Sequence, residues 1–221
     1  EAVISPTGVA AFDRLGAMSR RAPEEGTPRP FDRTRDGLVM GEGAAILMLE
    51  TEAHAKQRGA QILAELAGYG ASADAYHITA PSDTGAGGSR AIQTALEQAG
   101  ANVEDVDYIN AHGTGTQLND KSETLAVKAA LGEYAYSVPI SSTKSMTGHM
   151  MGATGALEAI LCTMAIQSGQ IPPTINYHEA DPDCDLDYIP NEARDHKVDL
   201  AISNAFGFGG HNAVLAIRRY E

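Results

Sequence analysis

Short apolar runs alternate with amphipathic stretches along most of this 221-residue chain. Five apolar runs have the length of strands, at residues 62–69, 106–111, 138–141, 200–204 and 212–217. Two amphipathic stretches predict helices that a glycine ends, at residues 89–98 and 119–131. Because strands alternate with helices, the pattern predicts a layered α/β domain.

The first quarter of the chain has a different pattern. Residues 8–19 predict a short helix, and residues 22–37, rich in proline, arginine and aspartate, predict a loop. The continuous apolar run within 41–50 predicts a strand buried on both faces. Residues 51–58 predict a helix that stops at Gly59.

The most apolar segment, residues 150–166, is short for a membrane span and predicts a buried helix, although it carries Glu158. No secretory signal opens the chain. The first residue is Glu1 rather than methionine, so the sequence reads as a piece of a longer protein.

Charge narrows the choice of partner. The chain has 16 basic and 29 acidic residues and a net charge of −13, which disfavours nucleic acid. Six arginines nevertheless cluster near the start: Arg14, Arg20, Arg21, Arg29, Arg33 and Arg35. This region is either a solvated loop or a docking patch for an acidic partner.

Two cysteines in a chain of this length indicate a reducing compartment, and we expect a cytoplasmic protein. Their spacing does not suggest zinc. Cys162 lies in the apolar helix and is expected to be inert, whereas the aspartates around Cys184 should raise its pKa. Neither is a good catalytic nucleophile.

Candidate chemistry lies at three strand ends. His112 follows one strand, His149 lies in the polar segment after the next, and the glycine-rich stretch 203–210 ends a third. Neutral imidazoles there would donate N–H groups to a developing enolate or oxyanion. Structural histidines are the alternative, and a two-histidine metal site is a weaker one because no third ligand is evident.

Further polar and aromatic residues accompany the histidines. Lys144 is either an exposed loop lysine or a buried ammonium paired with a carboxylate, for which Asp120 and Glu123 are candidates. Those two acids also form a capping-box-like pattern. The stretch from Phe206 with Phe208 lacks the pattern of a phosphate-binding loop and fits a flexible aromatic loop over an apolar pocket.

Five stretches together resemble the type II elongation β-ketoacyl-acyl-carrier-protein synthases of the thiolase superfamily: residues 33–43, 110–116, 142–149, 172–176 and 203–210. The resemblance implies a thiolase-like layered αβαβα fold. Residues 1–60 would end its N-terminal half and residues 61–221 would form most of its C-terminal half.

The resemblance also implies a decarboxylating Claisen condensation with malonyl-acyl-carrier-protein in fatty-acid biosynthesis. By it, His112 and His149 would stabilise the enolate. Lys144 and Glu123 would form a supporting ion pair with Asp120 beside it. These assignments are expectations carried over from the family.

Four residues would bind substrate by the same resemblance: Thr79, Thr114, Thr116 and Phe208. Phe206 would act as a gate, with its N–H in an oxyanion hole. The phosphopantetheine arm arrives on the carrier protein, so no cofactor of the chain's own is expected, nor a metal. The implied partners are an acidic acyl carrier protein, the N-terminal part of the same enzyme and a second copy in a homodimer, with no nucleic acid and no membrane.

One departure is serious, because the family's nucleophilic cysteine lies upstream of the segment where this chain begins. The isolated chain is therefore expected to be inactive. A non-catalytic acyl-binding partner subunit, similar to a chain-length factor, is the alternative. A degradative thiolase ranks last because the stretch 206–210 contains no second cysteine. Fatty-acid elongation and polyketide elongation both remain open as pathways.

Overall fold

The computed structural model describes residues 1–221, with the side chain of Pro23 left out. The α-helices are α1 (Pro6–Arg14), α2 (Glu52–Gln57), α3 (Ala86–Ala99), α4 (Gln117–Leu131), α5 (Lys144–Thr147) and α6 (Thr154–Ser168). The strands are β1 (Glu65–Ala73), β2 (Tyr108–Asn110), β3 (Ile140–Ser141), β4 (Gln170–Ile171), β5 (Arg194–Asp195), β6 (Leu200–Gly207) and β7 (His211–Arg218). Short 3-10 turns lie at Pro23–Glu25, Val103–Asp105, Gly132–Tyr136 and Met151–Ala153.

A five-stranded mixed sheet in the order β1-β7-β6-β2-β3 forms the centre of the chain. β2 runs parallel to both of its neighbours, β3 and β6, whereas β7 pairs antiparallel with β6 and β1. Neighbouring residues of β6 point to opposite faces, so Ile202 enters one hydrophobic core and Ala201 the other. The predicted layered α/β architecture is therefore confirmed.

Helices cover both faces of the sheet. α3 and α4 enclose the larger core, where Ile92 and Val127 lie with Ile202. α6 covers the other face through Cys162 and Ile166. Its opposite side is partly open, so the predicted buried helix is buried along one face only.

α3 lies very close to β1 because the facing strand positions are glycines. A Cβ atom at Gly70 would lie 1.9 Å from the Ala91 carbonyl oxygen, and one at Gly68 would lie 2.1 Å from that of Ala95. Gly100 ends α3 in the left-handed conformation at φ 61°, as the sequence predicted.

The parallel strands deliver their carboxyl ends to one edge of the sheet. His112 follows β2, Lys144 follows β3, and Phe206 lies near the end of β6. Residues far apart in sequence therefore meet at a single place, as is usual for open α/β sheets.

The strand predicted within residues 41–50 does not form. Pairing stops early: Met40 bridges His149, and Gly43 bonds to Glu1. Beyond this point the chain has no regular secondary structure, with Ile46 88% and Met48 83% exposed. A strand needs neighbours for its N–H and C=O groups, and no described segment of the chain pairs with residues 44–50.

Other boundaries shift by a few residues. The helix predicted at 8–19 is α1, and the strand predicted at 62–69 is β1, which starts and ends later. The remaining predicted helices and strands lie where α2 to α4, β2, β3, β6 and β7 are found. Across the described residues, no helix combines the length and apolarity that a membrane crossing requires.

Candidate active site

A cavity of about 610 Å³ opens at the carboxyl edge of the parallel strands, a volume typical of small-molecule sites. Its walls include residues from α1, from the loop after β1 and from the β6–β7 hairpin. Seven of the predicted site residues line it: Thr79, His112, Thr114, Thr116, His149, Phe206 and Phe208.

The two histidine rings lie side by side in this cavity. Their centroids are 5.3 Å apart and their planes meet at 84°, in an edge-to-face arrangement. The Phe206 ring lies 6.1 Å from that of His112. The predicted convergence of His112 and His149 is thus found in the structure, while their roles stay predictions.

His112 is held through its backbone. Its N–H donates to Glu123 Oε1 at 2.8 Å, and that of Gly113 donates to Oε2 at 2.7 Å. Nδ1 of His112 is buried without a hydrogen-bond partner, which leaves Nε2 as the nitrogen open to the cavity. Burial, with smaller contributions from Lys144 and His149, lowers the pKa of His112 well below its usual value.

His149 is held through its ring. The Met151 N–H donates to Nδ1 at 3.1 Å, and Thr154 Oγ1 lies 3.4 Å from the same atom. Because Nδ1 accepts, the proton of the neutral ring lies on Nε2. Burial and the Lys144 ammonium lower the pKa of His149 to about 3. Met151 itself adopts φ 48°, a strained value for a large side chain.

The expected ion pair between Lys144 and Glu123 is wrong. Both Glu123 oxygens are occupied by backbone N–H groups, and Oε1 also accepts from the Asn204 side chain at 3.1 Å. Lys144 instead lies 2.5 Å from Glu158 on α6. Both members of this pair are buried, and burial raises the pKa of Glu158.

The sequence carries a signal for the buried role of Glu158. It is the one acidic residue in an otherwise apolar helix, and buried acids almost always have a partner. Lys144 is buried, as the buried-ammonium alternative predicted, and after burial its charge is the next cause of the lowered pKa of both histidine rings.

Asp120 lies beside Arg35, not beside an ion pair of Lys144 and Glu123 as expected. Its carboxylate accepts from the N–H groups of Phe31 at 2.8 Å and Gly115 at 3.2 Å, and lies 3.6 Å from Arg35. The capping-box reading is wrong because α4 begins earlier than predicted, with Thr116 as its N-cap. Asp120 and Glu123 both hold the loop that precedes the helix.

The hairpin between β6 and β7 carries the predicted aromatic loop. Gly209 and Gly210 take positive φ, which lets the chain turn sharply at the tip. The Phe208 ring stacks on Phe12 of α1 with 6.3 Å between the ring centroids, and no sequence pattern pointed to Phe12 as a partner. Asp74, another unpredicted residue, joins this hairpin to the loop of Thr79 by accepting from Asn212 at 2.7 Å.

Neither cysteine belongs to the cavity. Cys162 packs beneath the sheet, and burial raises its pKa. Burial, more than the neighbouring aspartates, raises the pKa of Cys184 to about 12. Both predictions of a poor nucleophile agree with this placement.

The arginine-rich region is mostly structural. Arg35 is buried in an ion-paired network, and Arg29 and Arg21 donate to oxygen atoms of their own segment. Arg14, Arg20 and Arg33 are exposed. The docking-patch interpretation is therefore wrong for Arg35 and stays a prediction for the exposed arginines.

The family described as "Beta-ketoacyl synthase, C-terminal domain" matches residues 63–178, and its N-terminal-domain counterpart matches residues 1–55. The chain belongs to the β-ketoacyl synthase family. Its predicted fold class is confirmed: the chain has the thiolase-like fold of ketosynthases.

Three relatives illustrate the similarity of this β-ketoacyl synthase chain to known proteins. It is 52% identical to 3-oxoacyl-[acyl-carrier-protein] synthase 2 of Synechocystis sp. over all of this chain and 53% of the relative. The ketosynthase of a type II PKS, solved with its acyl-carrier protein and bound hexaketide, is 43% identical, with a TM-score of 0.97 over all of this chain and 55% of the other. The ishigamide ketosynthase/chain length factor is 45% identical, with a TM-score of 0.92 over 99% and 52%. The chain spans about half the length of the curated relatives it matches.

Proposed function

We propose that the protein containing this chain elongates an acyl chain in fatty-acid biosynthesis by a decarboxylating Claisen condensation with malonyl-acyl-carrier-protein. The observation that supports this most strongly is the pair of neutral imidazoles, 5.3 Å apart in one cavity. The curated relatives described as 3-oxoacyl-[acyl-carrier-protein] synthase 2 favour the same reaction.

The imidazoles suit the first half of this reaction. When the malonyl thioester loses CO2, the electron pair of the broken bond stays on the α-carbon and forms an enolate, whose charge lies mainly on the thioester oxygen. Two N–H groups, from His112 and His149, would donate to that oxygen. Their lowered pKa values keep both rings neutral, so that each remains a donor without losing or gaining a proton.

The second half forms the new carbon–carbon bond. The α-carbon attacks the carbonyl carbon of an acyl group held as a cysteine thioester, and the electron pair of the C–S bond leaves with the sulfur as a thiolate. Because Cys162 and Cys184 lie outside the cavity, we place the acyl-holding cysteine outside this chain. The N–H of Phe206 would contribute to the oxyanion hole for this step.

The remaining assignments concern binding. The hydroxyl groups of Thr79, Thr114 and Thr116, together with Phe208, would contact the phosphopantetheine arm, since all four line the cavity. The arm arrives on an acidic carrier protein, and the exposed Arg14 lies on α1, whose Phe12 forms part of the cavity wall. We further propose a homodimeric, cytoplasmic enzyme completed by its own N-terminal part, a setting in which two free buried thiols are ordinary.

A non-catalytic acyl-binding subunit is the second candidate. The lack of either cysteine in the cavity favours it, and one similar structure is described as a ketosynthase with a chain length factor. A binding subunit, however, has no need for two neutral histidines backed by the buried Lys144–Glu158 pair.

The test uses the complete natural polypeptide with an acyl donor and malonyl-carrier protein, and measures CO2 release and the β-ketoacyl product by mass spectrometry. We expect turnover, and a fall in kcat of about 100-fold or more for His112→Ala and His149→Ala. His178→Ala, which removes an exposed imidazole, is the control and should keep full activity. Acyl binding without CO2 release would support the partner subunit instead, and turnover by the isolated 221-residue chain would contradict our placement of the cysteine.

A further inference from the structure

Arg35 is a buried cation beside the loop that carries two of the cavity threonines. Its side chain is only 2% exposed. Nε donates to the Thr116 carbonyl at 3.2 Å and Nη2 donates to the Gln117 carbonyl at 3.2 Å. We call residues 113–117 the threonine loop.

Two carboxylates balance the charge of Arg35. Asp181 forms an ion pair with Nη1, and Asp120 Oδ2 lies 3.6 Å from Nε. Asp120 in turn accepts from the Gly115 N–H within the threonine loop. Burial of a guanidinium is costly unless most of its N–H groups find acceptors. The loop carbonyls supply these acceptors in the observed geometry, so the buried Arg35 favours that geometry over others.

The contact joins two parts of the chain that are distant in sequence. Arg35 lies in the stretch matched by the N-terminal-domain family, and the threonine loop lies in the stretch matched by the C-terminal-domain family. A backbone bond from the Gly37 N–H to the Gly115 carbonyl, 2.9 Å long, runs beside the arginine. The cavity wall is therefore assembled across this junction.

The position of the threonine loop decides where its hydroxyl groups lie. Thr114 Oγ1 and Thr116 Oγ1 are 3.0 Å apart, and both residues line the cavity. The opposite end of the loop is fixed separately, by Glu123 at Gly113. Loss of the arginine would remove the bonds to the Thr116 and Gln117 carbonyls and loosen that end of the loop, while the His112 end stays in place.

We infer that Arg35 is a positioning residue. It fixes the threonine loop so that the hydroxyl groups of Thr114 and Thr116 can contact the amide-bearing arm of a carrier-bound thioester. The inference rests on the proposed function for its substrate, but the loop geometry stands without it. The planar guanidinium bridges the carbonyls of Asp32, Thr116 and Gln117 and the Asp181 carboxylate at fixed angles, which a lysine ammonium on a flexible stem does not reproduce.

The test compares Arg35→Lys and Arg35→Met in the complete natural polypeptide. We expect Arg35→Met to raise KM for malonyl-carrier protein about tenfold while kcat changes less than about threefold, with Arg35→Lys in between. Hydrogen–deuterium exchange at the Gly115 amide should be about tenfold faster in both variants. Exchange across β6 and β7 should be unchanged.

Arg21→Met is the matched control. Arg21 is half-buried in the same segment and donates to the Thr34 carbonyl without contacting the threonine loop. An equal rise of KM in this control, a fall of kcat alone in Arg35→Lys, or unchanged exchange at Gly115 would overturn the inference. If the wild-type polypeptide shows no condensation, the proposed function fails, and the exchange measurement still decides the role of Arg35.

Discussion

Acidification should weaken the folded state through His149. Burial and Lys144 lower the pKa of this ring from 6.5 to about 3. The folded-state pKa is thus lower than that of the unfolded chain, so the unfolded chain binds more protons below pH 6.5 and the free energy of unfolding falls with the pH until about pH 3. Each unit corresponds to about 1.4 kcal/mol, which gives a loss of about 2 kcal/mol from this one ring by pH 5.

Urea unfolding measures this loss. Circular dichroism is the signal to follow, because the chain has no tryptophan whose fluorescence could report unfolding. The pKa of His112 is lowered in the same direction, whereas burial raises the pKa of Glu158 to about 7 and so opposes the loss on acidification; the His149 contribution is therefore read from the difference between the variant and the wild type. Between pH 7.5 and pH 5, His149→Asn should lose about 2 kcal/mol less than the wild type. His178→Asn, which removes an exposed ring, should behave as the wild type does. Equal losses in the wild type and His149→Asn would refute the reasoning.

Two further variants test the packing and the loop behind the cavity. Gly70→Ala would place a Cβ atom 1.9 Å from the Ala91 carbonyl oxygen and should lower the free energy of unfolding by about 2 kcal/mol or more, whereas Gly155→Ala on α6 meets no atom within 4 Å and should not destabilise. Glu123→Gln sets an amide N–H₂ against a backbone N–H at His112 or Gly113, so stability should fall by about 1–3 kcal/mol and kcat should fall with it. An unchanged urea midpoint in Gly70→Ala or in Glu123→Gln would contradict the contacts described.

The convergence of the histidines could be predicted because it follows from topology. His112 and Lys144 each follow a strand of a parallel pair, and Phe206 lies on the strand parallel to the first. Parallel strands bring their carboxyl ends to one edge, so spacing along the chain does not matter. The glycines at the turns indicated where a ligand could approach the backbone closely.

The partner of Lys144 could not be fixed in the same way. Its choice among Asp120, Glu123 and Glu158 depends on how α6 lies across the sheet, which no local pattern encodes. Glu123 looked suitable because it follows the His112 loop, but its oxygens bind that loop's backbone. Backbone N–H groups are as able to satisfy a buried carboxylate as an ammonium is.

The apolar run at 44–49 shows a second kind of limit. Its pattern correctly describes residues suited to a buried strand, yet Ile46 and Met48 are exposed in the described structure. The hydrophobic pattern indicates which secondary structure a segment suits, whereas its burial depends on which segments pack against it.

Nitrogen-15 NMR of the histidine side chains at pH 7 measures most directly whether two neutral imidazoles donate N–H groups into one cavity. We predict neutral rings for His112 and His149, with the proton of His149 on Nε2 and an unprotonated Nδ1 that accepts from the Met151 N–H. An imidazolium signal from either ring, or a proton on Nδ1 of His149, would contradict the proposed stabilisation of the enolate.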